Sequence, residues 1–163
     1  VPYRATDVYQ AMRQLKSTGP GSFDFCELCG GDEARTSQLA VRRHLAVGEN
    51  FDLVCGVDLG DYETQREVVK YIHDNNVLLV VMAPACRSVG PTSNLNYNIN
   101  HRGWSESFNT DLPHLQFCGK VALVQHHVGR YWFVETSTPT WLLNVMPWDP
   151  VVTKPQTEIV EIQ

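Results

Sequence analysis

The run Val77-Leu78-Leu79-Val80-Val81-Met82-Ala83, held between Asn75-Asn76 and Pro84, limits the possible folds more than any other stretch of the chain. An unbroken apolar run of that length, with turn residues at both ends, reads as a strand buried on both faces in the middle of a sheet. Such a strand needs helices above and below it, which implies parallel neighbours joined by crossover helices. The flanking segments supply that alternation. Strands are expected at 23–28, 51–59, 77–83 and 131–135, and helices at 33–46 (closed by Gly48), 62–75 and 112–127. The last helix is read as starting from Asp111-Leu112-Pro113.

That order predicts an α/β fold, Rossmann-like, with a mostly parallel sheet, right-handed crossovers and helices on both faces. Residues 5–17 fit a short amphipathic helix with Val8, Met12 and Leu15 on one side. Residues 84–110 read as a long polar loop, of the kind usually kept for function. A short helix is expected at 141–145, and Ile159-Val160 in the polar tail reads as an edge strand or arm. The division expected is an N-terminal helix and linker at 1–22, the α/β domain at 23–150 and a tail at 151–163.

Of the 163 residues, 43% are hydrophobic and 19% charged, a balance that suits a folded domain with a real core. The net charge of −5 argues against a large basic surface that grips nucleic acid unaided, because phosphate binding rests on Lys and Arg. Binding there would need a local basic rim or a partner domain. The five cysteines follow no scaffold-like spacing and read as reduced thiols of an intracellular protein, nuclear or cytoplasmic. No run of 18 apolar residues and no leader pattern is present, so no membrane partner is expected.

Ligands of open α/β sheets bind beyond the carboxyl ends of the strands. Pro84-Ala85-Cys86 follows the central strand, so Cys86 is a candidate nucleophile there. The first turn, Glu27-Leu28-Cys29-Gly30-Gly31, combines an acid with glycines that let a ligand approach backbone and a helix N-terminus. A plain tight turn explains it as well. Asp58, at the expected end of the second strand, could bond a ribose hydroxyl pair or simply face water. Glu135 closes the fourth strand; if that strand lies beside the third, Cys86 and Glu135 share one rim. Cys26-x-x-Cys29 has no second Cys or His pair at zinc-site spacing, so no metal is expected.

Taken together, Phe25-Cys26-Glu27-Leu28-Cys29-Gly30-Gly31, Val81-Met82-Ala83-Pro84-Ala85-Cys86 and Phe133-Val134-Glu135 resemble the cytosine-5 DNA methyltransferase family, and more closely the methyltransferase-like domains of retroelement polyproteins. The resemblance covers roughly residues 23–150 and implies a reduced methyltransferase core. It implies S-adenosylmethionine held by Glu27, Cys29, Gly30, Gly31 and Asp58. It also implies a Cys86 nucleophile fixed by Pro84, Glu135 assisting on the cytosine ring, and nucleic acid, DNA first, as substrate. Arg87, Asn94, Asn96 and Arg102 of the 87–110 loop, with His101 and Trp104, would close over the base, which must leave its stack to reach the site. Target recognition would fall to a partner domain.

Ala85 stands where the family usually has a second proline, and Thr136-Ser137 follow Glu135 in place of Asn-Val. A non-catalytic binding or assembly module on the same fold, of the kind a mobile-element polyprotein would carry, is therefore the alternative. A hydrolase pairing Cys86 with His101 or His126 is a third reading.

Overall fold

The computed structural model describes residues 22–162. Its strands are β1 (Phe25–Leu28), β2 (Val47–Phe51), β3 (Leu79–Met82) and β4 (Tyr131–Val134), paired in the order β2-β1-β3-β4 and all parallel. The helices are α1 (Arg35–Arg42), α2 (Tyr62–Asp74), α3 (Ser93–Ile99), α4 (His101–His127) and α5 (Trp148–Val152). This is the α/β Rossmann-like fold expected from the strand–helix order. The chain runs outward from β1 to β2 and then returns past β1 to β3, so the topological switch point lies between β1 and β3. The helix expected at 5–17 lies outside the described residues.

Strand residues alternate between two unequal faces. Trp132 packs edge-on to Trp148 of α5, and Trp148 donates its indole N–H to Leu115 of α4 at 2.9 Å. Val80 and Met82 share the Trp132 side by register and are fully buried, as are Cys26 and Leu28. Phe51, opposite Leu28, meets Tyr71 of α2 edge-on at 5.2 Å, so α2, α4 and α5 all cover this face. The other face carries Glu27, Val81 and Phe133, and α1 packs there through Ser37. Leu79 and Val81 are only half-buried, so β3 is sealed on one side and not on both, correcting the sequence reading.

Local chemistry explains most boundaries. Asp61 caps α2 by accepting from the Thr64 amide at 2.8 Å, and Val68 and Ile72 fill the inward stripe. Gln125 of α4 is buried, and its side-chain amide donates to Val77 O and Tyr131 O at 3.2 and 3.0 Å, joining β3 to β4 at their amino ends. No helix among the described residues is long and apolar enough to cross a membrane.

Several expectations are corrected. The first helix is α1 alone, and the second strand is Val47–Phe51, not 51–59. Gly48, read as a helix stop, sits inside β2 because a Cβ there would come within 2.8 Å of the Tyr71 hydroxyl and 3.2 Å of Phe23. The 84–110 segment is mostly helical, and α4 begins at His101, capped by Asn100, with Pro113 in its interior. Ile159 and Val160 join no strand and are exposed.

Candidate functional site

The rim at the carboxyl ends of β1, β3 and β4 gathers most of the residues singled out by sequence. β3 and β4 are adjacent, and Glu135 donates its amide to Met82 O at 2.9 Å, so Cys86 and Glu135 do follow neighbouring strand ends. Both are exposed, while Pro84 is buried. The loop after Cys86 is folded back tightly: Cys86 O accepts from Val89 and Gly90 amides. A Cβ at Gly90 would stand 2.6 Å from Cys86 O and 2.8 Å from Ser137 Oγ, so glycine is needed where this loop meets the segment beyond β4. That segment is laced to the loop, with Trp141 N at 2.6 Å and Thr140 Oγ1 at 3.2 Å from Val89 O.

Of the residues expected to close over a base, Arg87 and Arg102 are paired within the protein. Arg87 grips Asp111 of α4 with two donors, Nε at 3.0 Å and Nη2 at 2.6 Å, and Ser88 Oγ donates to the same carboxylate at 2.7 Å. Asp111 is 1% exposed, so this is a buried carboxylate neutralised from the loop. Arg102 pairs with Glu106 one helical turn along α4. Asn94 and Asn96 are exposed on α3, and their carbonyls accept from Asn98 and Asn100. Tyr97, His101, Trp104, Phe108 and Trp141 form one ring cluster, and Trp104 donates its indole N–H to Ser88 O at 3.1 Å. His126 lies at the far end of α4, beside the amino end of β4, which removes it as a partner for Cys86. His101 lies near the rim, but its ring packs on Tyr97 and Trp104.

The backbone amides of the glycine turn are bonded inward. Gly30 N donates to Asn50 Oδ1 at 3.3 Å and Gly31 N to Asp52 Oδ2 at 2.9 Å, while Asn50 Nδ2 returns a bond to Gly31 O at 2.7 Å. Glu27 is buried under the turn and accepts from the Ser37 amide at 2.7 Å and from the Ser37 hydroxyl. It thereby caps α1, whose own N-cap residue Ala34 supplies no side-chain bond. The neighbouring Cys29 thiol, together with burial, holds the Cys118 thiol of α4 well above the ordinary thiol range. Burial, with Glu27 adjacent, pushes the Cys26 thiol up to about 12. Asp58 is not at a strand end: it lies seven residues past β2, where it accepts from Gly60 N at 2.8 Å and shapes the turn before α2. Asp52 takes the strand-end place, with Gly31 N and Val54 N on its two oxygens.

S-adenosylmethionine would need free donors and acceptors on this turn. The Gly30 and Gly31 amides, Glu27 Oε2 and Asp58 Oδ1 are bonded within the protein. The two amides would receive the cofactor only by giving up those bonds, while the exposed Asp58 keeps its second carboxylate oxygen unbonded among the described residues. Two surface hollows, one between the end of α4 and Lys154 and one along α1, include no rim residue.

His114 of α4 is a rim residue that sequence reading missed. It is half-buried one turn before Cys118, and burial lowers its pKa below the usual imidazole value. Arg87 acts in the same direction, while Asp111, Asp58 and Asp52 oppose it, so His114 stands within electrostatic reach of the loops that follow β2 and β3. Its spacing from Asp111 and Cys118 on one helix face was the available signal. No known protein family, characterised protein or solved structure matches the chain.

Proposed function

We propose that this chain is a non-catalytic binding and assembly module on a methyltransferase-like fold. The observation that carries this reading is the internal bonding of the first turn: Gly30 and Gly31 amides on Asn50 and Asp52, and the Glu27 carboxylate on Ser37. A ligand binding there would have to break those bonds first, each exchange costing about what it gains. Titration calorimetry with S-adenosylmethionine and S-adenosylhomocysteine tests it. No binding tighter than about 1 mM is expected. A micromolar Kd, weakened by Asp58→Ala, would overturn it.

Methyl transfer to cytosine, with Cys86 as nucleophile and Glu135 assisting, is the second reading. It is favoured by the exposure of both groups on adjacent strand ends. DNA carrying 5-fluorocytosine, incubated with S-adenosylmethionine, distinguishes the two. A covalent adduct formed by the wild type and absent in Cys86→Ser would replace the module reading with this one.

A further inference from the structure

We infer that the free edge of β4 pairs antiparallel with the β4 edge of a second copy of this chain, making a two-fold dimer with a continuous eight-stranded sheet. β4 ends the sheet, with β3 on its inner side. Tyr131 and Glu135 donate inward, to Leu78 O and Met82 O. By the alternation of a parallel ladder Phe133 does too, and Trp132 and Val134 turn their N–H and C=O groups outward. No bond to those outward groups is made by the described residues. An edge of this kind is normally blunted by Lys, Pro, a bulge or a covering element. Tyr131-Trp132-Phe133-Val134 has no charge, no proline and regular register.

The strand is suited to its own copy. Its two ends carry opposite charge, Arg130 before Tyr131 and Glu135 after Val134. Antiparallel pairing brings the acidic end of one copy near the basic end of the other, one residue out of register and on opposite faces of the sheet, whereas parallel pairing would set like against like. Arg130 is already steadied by donating to Asn76 Oδ1 at 2.7 Å, and Glu135 makes no ion pair among the described residues. With the axis at Phe133, Trp132 of each copy exchanges backbone bonds with Val134 of the other, and the two Phe133 rings meet on the side away from α4. Tyr131 and Phe133 are 51% and 52% exposed, and they continue the half-buried Leu79 and Val81. All-parallel sheets rarely leave such a face bare. The dimer deepens the assembly reading by naming the partner, yet it stands on separate measurements: sedimentation tests the pairing and calorimetry the cofactor.

Sedimentation velocity across low- to high-micromolar concentration, on the full chain, should show a dimer. Phe133→Lys places two cations at the axis and should weaken the dimer about 100-fold with unchanged circular dichroism. Tyr131→Lys, at a second exposed site, should do the same and guards against one variant misfolding. Hydrogen exchange should find the Trp132 and Val134 amides protected in the wild type and released in both variants. A wild type that is monomeric throughout, or dimers that survive both substitutions, would overturn the pairing. A monomer with those two amides protected would overturn it as well, because the edge would then be capped by the chain's own residues.

Discussion

Ser37 donates its amide to the Glu27 carboxylate at 2.7 Å, which ties the third residue of α1 to the middle of β1. The acid that a sequence reader assigns to a ligand is thus the cap of the next helix. Glu27→Ala should cost about 1–3 kcal/mol, because it leaves the buried Ser37 donors without an acceptor. Glu27→Gln keeps an oxygen there and should cost less. Denaturant unfolding of both variants checks the order; an unchanged midpoint for Glu27→Ala would return Glu27 to a ligand role.

The Arg87–Asp111 pair should respond unequally to its two deletions. Arg87→Ala leaves a carboxylate that is 1% exposed with only Ser88 to solvate it, at a cost of about 3 kcal/mol. Asp111→Asn frees an arginine whose side chain is 63% exposed, and should cost about 1 kcal/mol. The double variant should be more stable than Arg87→Ala alone. Chemical denaturation of the three proteins gives the comparison.

Acid should weaken the fold through His114 before the carboxylates titrate. Its folded pKa lies below the ordinary 6.5, so the unfolded chain takes up the proton first. The stability it contributes is whole above about pH 6.5 and is lost as pH falls through the lower folded value. Thermal unfolding at pH 7.5 and 5.5 should show a smaller loss for His114→Gln than for wild type. An equal loss in both would show that other groups dominate.

Thiol labelling should sort the cysteines by position. Cys55 and Cys86 are exposed and should react with a maleimide in the native protein, while buried Cys26 and Cys118 should wait for unfolding. Mass mapping of the labelled sites reads this directly. Native labelling of Cys118 as fast as Cys86 would contradict the packing of α4 on the glycine turn.

The strand–helix alternation was legible because periodicity is a local signal, and α2 starts where expected, at Tyr62, because Asp61 caps it by a local bond. The first half of α4 was hidden by its polar composition, and Pro113 looked like a start although it sits inside the helix. β2 was displaced because Gly48 has a reason to be small that only Tyr71 and Phe23 reveal. Among the site residues, the Cys86–Glu135 rim followed from strand adjacency, which topology rules supply. The roles of Glu27, Arg87 and Asp58 did not follow, since each depends on which partner wins the hydrogen bond. His114 was overlooked because its neighbours come from loops distant in sequence.

Gln125 fastens β3 to β4 from beneath with a single amide group inside the core. That position is therefore held to one residue type: glutamate there would set a charge against two carbonyl oxygens, and a shorter side chain would abandon both.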